Sequence, residues 1–498
     1  MTESHATKRA PVVAIMGHID HGKSTLLAYI RKSSKPLSEA GGITQHISAY
    51  EVEHKTPEGT IEKITFLDTP GHAAFSGHRN RGAQTADIAI LVVSAEDGVK
   101  PQTVEALKSI TESKVPYVIA ITKIDKADAN IDRTKQSLAE NNMYVEGYGG
   151  NISFVPVSGK SGAGVSELLD LVLLTASLED LTGDPTALAE GIIIESGLDM
   201  RKGIGAVCII KNGSMEKGMF VACAGAVAPV RVIEDWTGKP IQRATFSSPV
   251  KIIGWNNLPQ VGSIVHTFKT KDEAEEYARK VGSQKSIATS KDTRDENVKQ
   301  FPVIIKTDTG GSLEAVTAQI QKLSTETITP YIIYSGIGTV SEGDVRMAEG
   351  SIKACIVGFN VKVDAQAKTL AERDSVEIVN FDIIYKLSEW LTEKLIENKP
   401  VIEVEEISGV AKVLKNFSKV KDKQIIGCRV ETGRIALGEH IKIFRREAEI
   451  GTGKIREMQS QKQKISEVEE GKEFGCMVEA KIEIAPGDRL QAVMLIRK

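Results

Sequence analysis

Residues Val12 to Ser24, VVAIMGHIDHGKS, leave a chain of this kind few folds to choose from. Val12 to Met16, five apolar or small residues, read as a buried strand. They run without a gap into Gly17-His18-Ile19-Asp20-His21-Gly22-Lys23-Ser24, which fits G-x-x-x-x-G-K-[ST] and leads into a helical run from Thr25 to Arg31. Gly17 and Gly22 let the backbone curl so that successive N–H groups point inward at phosphate oxygens, and the following helix adds its positive dipole end. Lys23 can then reach the outer phosphates of a nucleotide, and the Ser24 hydroxyl can ligate Mg²⁺. The alternative is a glycine turn between a core strand and a helix. A full eight-residue match in this order is far more specific than a lone glycine pair.

The chain has 498 residues, enough for about three domains at ~150 residues each. Its net charge of -3 is nearly neutral, so a nucleic-acid partner has to be sought locally. The start, MTESHATKRA, lacks the apolar centre of a signal peptide, and no apolar run is long enough to span a bilayer. These features predict a cytoplasmic chain with no membrane contact. Five widely spaced cysteines, Cys208, Cys223, Cys355, Cys428 and Cys476, include no C-x-x-C and read as reduced, mostly buried thiols. His18 and His21 form an H-x-x-H inside the phosphate loop, a poor place for zinc.

Residues 1–180 alternate strands (12–16, 49–54, 62–67, 87–93, 116–121, 153–157) with helices that include 101–112 and 163–177, a pattern that predicts a sheet covered on both faces. Ligands of such sheets sit beyond the strand ends that lead into helices, and the remaining motifs fall there. One strand ends at Asp68-Thr69-Pro70-Gly71-His72. The Asp68 carboxylate can hold Mg²⁺ through water, and the Gly71 N–H can approach a γ-phosphate because no Cβ obstructs it. Another ends at Thr122-Lys123-Ile124-Asp125. There Asp125 can accept the N1–H and N2–H₂ of guanine, which adenine cannot supply, while the Lys123 stem lies along the base. A third ends at Ser158-Gly159-Lys160, whose backbone can meet the guanine O6. With Asp20, His21, Gly22, Lys23, Ser24 and Thr25 of the loop, these form a predicted GTP or GDP site.

GHIDHGKS, GGIT (41–44), DTPGH, TKID and SGK together resemble the motifs of the translational GTPases. Within them, EAGGITQHI, FLDTPGHAAF, RGAQTADIAILVV and DGVKPQT resemble the bacterial translation initiation factor two family. The resemblance implies that Thr44 joins Ser24 and Asp68 as a metal ligand and senses the γ-phosphate. It also implies that His72 orients the attacking water, and that Ile19 and Ile43 gate His72 until a ribosome engages. Thr122 stands where the family usually has Asn, so nucleotide affinity is expected to drop while guanine selectivity survives.

From about 186 to 268, short β-rich runs separated by Gly, Pro and Asn predict a small barrel, taken with its flanks as 181–270. Gly213-Ser-Met-Glu-Lys-Gly218 and Gly433-Arg-Ile-Ala-Leu-Gly438 share a turn pattern that leads into a strand. Each region then closes on Pro and Gly before a last strand, so two barrels of one type are expected. Residues 271–300 are charged and apolar-poor and read as an exposed helix and linker. Strands and helices alternate again over 301–381, a small α/β/α domain; Thr307–Ser312 lacks the lysine of a phosphate loop and reads as a helix cap. Apolar residues at helical spacing from Ile383 to Leu395 predict a helix over 382–400, either joining domains or closing the third one.

Residues 407–498 hold 19 Lys and Arg against 13 Asp and Glu, a net +6, so the rest of the chain carries -9. Charge alone leaves open a solvated face or an RNA contact. The family resemblance implies that a C-terminal β-barrel over 401–498 holds the acceptor end of formylmethionyl initiator tRNA. The chain would place that tRNA on the small ribosomal subunit and hydrolyse GTP when the large subunit joins, acting as a monomer. Cys428, Glu473 and Gly475 match the tRNA-end pattern, whereas Phe474 replaces a usual Cys. Gln459-Ser460-Gln461 replace a usual basic pair and aromatic, so Arg445, Arg446, Arg456 and Lys462 are expected to supply the missing charge. Other readings are a GTPase delivering elongator or specialised tRNA, a non-hydrolysing ribosome-bound scaffold, and a GTPase coupled to a metabolic transferase. The last is disfavoured because an α/β unit and a helix separate the two barrels.

Overall fold

The computed structural model describes residues 6–31, 44–285, 299–325, 327–350, 354–399, 403–460 and 463–497. They divide into two compact units, Met1–Asn398 and Lys399–Lys498.

The first domain is built on β1 (Val12–Gly17), α1 (Lys23–Ile30), β2 (Ser48–Lys55), β3 (Ile61–Asp68), α2 (Ser76–Thr85), β4 (Ile88–Ser94), α3 (Pro101–Glu112), β5 (Tyr117–Thr122), α4 (Ile131–Glu140), β6 (Phe154–Pro156) and α5 (Val165–Leu178). The sheet order is β2-β3-β1-β4-β5-β6; only β2 runs antiparallel to its neighbour. Every residue of β1 and β4 is buried, as continuous apolar strands must be when helices cover both faces. One face packs Leu26, Leu27 and Leu168, and the other packs Ala106, Ile110 and Leu138. The loops after β1, β3 and β5 therefore open at one edge.

Residues 190–268 form an eight-stranded antiparallel sheet around a core that includes Ile193, Cys208, Val221 and Ile252, with the two-stranded ribbon Ser214–Glu216 and Arg243–Thr245 beside it. The helix Lys271–Lys285 is not simply exposed. Ala274 and Ala278 are buried against Ala222 and Val227 of this sheet, and Tyr277 meets Phe268 and His266. The remainder of the expected linker, 286–298, lies outside the described residues.

One ion-pair network ties this sheet to the first domain. Asp87 accepts from Arg9 Nη1 at 2.6 Å and Nη2 at 2.7 Å, from Lys211 Nζ at 2.6 Å and from Val12 N at 2.9 Å. Burial opposes ionisation of the Asp87 carboxyl, but hydrogen bonds and charge from Arg9 and Lys211 outweigh it and lower its pKa. A lowered folded-state pKa gives stability that is present above the unfolded value of ~3.9 and lost as pH falls through the lower folded value. Asp87→Asn strands two cations, so it is expected to cost about 3 kcal/mol near neutrality. The difference in urea midpoint from the parent should shrink below pH 4; an unchanged midpoint at pH 7 would remove Asp87 from this role.

The third domain is a four-stranded parallel sheet, Ile328–Ile337, Lys299–Thr307, Cys355–Phe359 and Glu377–Phe381 in spatial order. Gly310–Lys322 and Ile384–Glu397 cover one face, and Glu342–Glu349 and Ala365–Asp374 the other. Thr309 caps its helix by accepting from Ser312 N at 3.2 Å. The helix read over 382–400 is a member of this domain: Ile384, Leu387, Leu391 and Leu395 are buried with Val303, Ile305 and Phe359. Its apolar stripe serves a core, and the unit ends at Asn398.

The second unit is a closed six-stranded antiparallel barrel, ordered Glu403–Val420, Arg489–Arg497, His440–Arg445, Ala448–Ser460, Glu473–Ala480, Lys423–Ala436 and back to the first strand. Gly213 and Gly433, from the shared turn pattern, both adopt positive φ, and a Cβ there would lie 2.3 Å from Leu188 O and 2.5 Å from Ser408 O respectively. Met215 and Ile435, the apolar positions of the two turns, are fully buried. The same local geometry thus serves both regions.

Candidate functional site

At the open edge of the first domain lies a cavity of about 360 Å³. Its wall includes Ile19, Asp20, Gly22, Lys23, Ser24, Thr25, Thr44, Gly71, His72, Thr122, Lys123, Asp125, Gly159 and Lys160. His21, Ser158 and Asp68 are buried. Ile43 lies outside the described residues.

The loop owes its shape to its glycines. A Cβ on Gly17 would lie 2.4 Å from Val92 O, and Gly22 takes φ 86 at the start of α1. Lys23 Nζ donates to Gly17 O at 3.0 Å and His18 O at 2.6 Å. Burial, opposed by Asp68, lowers the Lys23 pKa to about 8. Facing it, Gly71 comes so close that a Cβ would stand 2.7 Å from Nζ. Ser24 Oγ and Thr44 Oγ1 are 3.3 Å apart, and Thr44 Oγ1 donates to Asp68 Oδ2 at 3.3 Å. Three oxygen-bearing side chains thus converge, the donor set a hard divalent cation prefers.

His72 opens a short 3₁₀ turn, and its Nδ1 accepts from Ala74 N at 3.1 Å. The neutral ring then carries its proton on Nε2. Burial, followed by the Arg79 charge, lowers its pKa. Sequence reasoning missed Arg79. It is 1 % exposed, donates to His72 O at 2.6 Å and Gly71 O at 3.2 Å, and pairs with Glu105 at 2.6 Å. Gln102, also missed, accepts from Ile19 N at 3.0 Å. Both act on backbone groups, which leave no spacing pattern in the sequence.

At the other end, Asp125 Oδ1 accepts from Ser158 Oγ at 2.7 Å; this bond is the main reason the carboxyl pKa is lowered. Lys123 Nζ is held by Glu96 at 2.9 Å and Asp97 at 3.6 Å. Thr122 Oγ1 donates to His21 O at 2.5 Å, tying β5 to the phosphate loop through a hydroxyl. Thr122→Val keeps the shape but leaves that carbonyl without its donor. It should weaken GTP binding by roughly tenfold without changing the guanine-to-adenine ratio; equal affinity in a titration would discount the tie.

The cavity is wired to the third domain. Gln45 Nε2 donates to Asp382 O at 2.8 Å and His46 Nε2 lies 3.0 Å from Asp308 Oδ2. From α2, Arg81 pairs with Glu314. Glu195 Oε1 accepts from Gly311 N at 3.1 Å.

The proposed tRNA residues are placed less simply. Cys428 points into the barrel and is 1 % exposed, because strand alternation turns Ile426, Cys428 and Val430 inward and Gly427 and Arg429 outward. The Cys428 side chain thus packs in the barrel core, and Gly427 and Arg429 beside it face outward. Glu473 and Gly475 lie on the outward-facing register of their strand. Arg445 is clamped by Asp488 at 2.9 and 2.8 Å and by Glu483 O at 3.0 Å. Arg456 is paired with Glu479 at 2.6 Å. Arg446 sits at a turn with φ 49, and Lys462 lies outside the described residues. Among the described residues no cluster of His, Cys, Asp and Glu could hold a metal, all five cysteines are buried thiols outside any disulfide, and no helix is long and apolar enough to cross a membrane.

Four family models match in sequence: the elongation factor Tu GTP binding domain over 8–177, elongation factor G domain 2 over 188–268, translation-initiation factor 2 over 275–392, and elongation factor Tu domain 4 over 408–491. Translation initiation factor IF-2 of a Nitratiruptor species is 40 % identical across 98 % of this chain and 59 % of its own length. The protein of the same name from Agrobacterium fabrum is 37 % identical across 98 % of this chain and 54 % of its own. The chain therefore spans just over half the length of these relatives. Among solved structures, GDP-bound aIF5B from Aeropyrum pernix aligns over 98 % of this chain and 92 % of that one, at 25 % identity and a TM-score of 0.48.

Proposed function

We propose that this chain, a homologue of translation initiation factor IF-2 along 98 % of its length with a GTP-binding domain of the elongation factor Tu kind, is a ribosome-stimulated GTPase of translation initiation. It binds GTP with Mg²⁺, holds formylmethionyl initiator tRNA on its C-terminal barrel for the small ribosomal subunit, and hydrolyses GTP to GDP and phosphate when the large subunit joins. The observation that carries this reading is that Asp125, Lys23, Ser24, Thr44 and His72 all line one nucleotide-sized cavity.

Asp125 accepts the two guanine N–H groups on its two carboxylate oxygens, Oδ1 keeping a lone pair beside its bond from Ser158. Lys23 exchanges its two carbonyl partners for phosphate oxygens, which replace weak dipoles with full charge. Ser24, Thr44 and Asp68 are the side chains that would hold Mg²⁺, directly or through water. When bound, the ion neutralises charge on the phosphates. His72 holds water in line, fixed by the Ala74 N–H and the Arg79 clamp on its carbonyl. Thr44 precedes Gln45 and His46, which grip the third domain, so a change in the grip on the γ-phosphate is transmitted there.

The test is GTP against ATP binding, followed by turnover with ribosomes and formylated initiator, unformylated initiator or elongator tRNA. Guanine preference, ribosome stimulation and preference for the formylated initiator are expected. Equal binding of the three tRNAs would sink the initiation reading and leave the GTPase.

A further inference from the structure

The net positive charge of residues 407–498 falls mostly on one hairpin. Residues 411–429 contain Lys412, Lys415, Lys419, Lys421, Lys423 and Arg429 against the single carboxylate Asp422, so +5 of the +6 of residues 407–498 falls there. Elsewhere in the barrel, five cations, Arg434, Arg445, Arg456, Lys472 and Arg489, each face a carboxylate. On the hairpin, Lys419 alone is in an ion pair among the described residues, with Glu483 at 3.2 Å. The charge on the hairpin is available to a partner, and a partner rich in phosphate complements it.

An aromatic ring lies in the middle of that charge. Phe417 is 62 % exposed, with Lys415 Nζ 5.6 Å from its centroid. The ring lies over the bare α-carbon of Gly427: a Cβ there would stand 3.0 Å from Phe417 Cε2. Val420 and Ile425 on the same hairpin are exposed as well. A solvated charged face has no need of exposed apolar groups between its lysines. A surface that stacks bases and neutralises phosphates needs both.

Register relates this surface to the tRNA-end motif. Lys415 pairs with Gly427, Gly427 with Gly475, and Gly475 with Gln459, one row across four strands. Gln459 and Ser460 form a neutral bank on the fourth strand. Lys415 and Phe417 stand on the opposite bank.

We propose that the basic hairpin grips the nucleic acid: Phe417 stacks a base of the single-stranded acceptor end of tRNA while Lys415, Lys423 and Arg429 neutralise the flanking phosphates. The proposal rests on the reading that this barrel takes a tRNA acceptor end, and it moves the grip from Arg445 and Arg456 to the hairpin.

The experiment is filter binding of formylmethionyl initiator tRNA to the full chain across a salt series, with GTP affinity as a folding control. Phe417→Ala should bind roughly tenfold or more weakly and Phe417→Trp near the parent level. The pair Lys415→Gln and Lys423→Gln should flatten the slope of log affinity against log salt by roughly 1.4. With tRNA lacking its single-stranded 3′ nucleotides, the difference between Phe417 and alanine should vanish. Binding that all these variants leave unchanged overturns the hairpin contact while the initiation reading stands. Hairpin-dependent binding without preference for the initiator does the reverse, and no tRNA binding by the parent overturns both.

Discussion

Exchanging His72 for alanine is expected to leave GTP affinity within a few-fold of the parent and to slow ribosome-stimulated turnover by roughly two to four orders of magnitude. The ring lines the cavity, but in the proposed binding mode Lys23 and the loop amides hold the phosphates without it. Alanine also removes a cap on Ala74 N, a local loss of about 1 kcal/mol, which is small beside the catalytic effect. Protonation supplies an independent check. Burial and Arg79 lower the imidazole pKa, so the neutral ring persists to lower pH than the ordinary 6.5. Single-turnover hydrolysis on ribosomes should therefore fall on acidification with a midpoint below pH 6.5. A rate that climbs as pH drops through 6.5 would make imidazolium the active form. Unchanged turnover by His72→Ala would take the residue out of the mechanism.

What the sequence made legible is what backbone geometry restricts to a few residue types. Gly17 is needed because Val92 O lies where its Cβ would be, and Gly22 because the chain enters α1 at φ 86. Such positions leave a fixed pattern with fixed spacing. Arg79 and Gln102 left none, since a carbonyl or an amide of any residue would serve as their partner. Periodicity identified the apolar stripe Ile384, Leu387, Leu391 and Leu395 but carried no information about what covers it, and a spacer helix and a core helix read alike. At Cys428 the motif was matched by position, but strand parity decides which side chains reach solvent. Parity is visible only once Ile426 and Val430 are seen in the same core. The charge count singled out the C-terminal region as basic, but it could not separate Arg445, already clamped by Asp488, from Lys415, which lies over Phe417 and is in no ion pair among the described residues.

Asp125→Asn is expected to invert base preference, lowering GTP affinity by about three orders of magnitude and making XTP the better ligand, because a site left with mismatched buried polar groups rejects its former partner strongly. The neighbouring bonds determine why the amide cannot simply turn to suit guanine. Ser158 Oγ donates to Asp125 Oδ1 at 2.7 Å and already accepts from Ser161 N at 3.1 Å. The orientation that keeps both bonds puts the asparagine oxygen on Ser158 and its NH₂ toward the base. There it meets the donors of guanine but matches the extra carbonyl of xanthine. Turning the amide over would restore an acceptor to guanine at the expense of the Ser158 donation. Removing that donation should therefore relax the inversion: Asp125→Asn combined with Ser158→Ala is expected to recover part of the lost GTP affinity relative to Asp125→Asn alone. Competition titrations of GTP and XTP against the two variants measure both effects. If Asp125→Asn still prefers GTP while Ser158 is intact, Asp125 is not the group that reads the base.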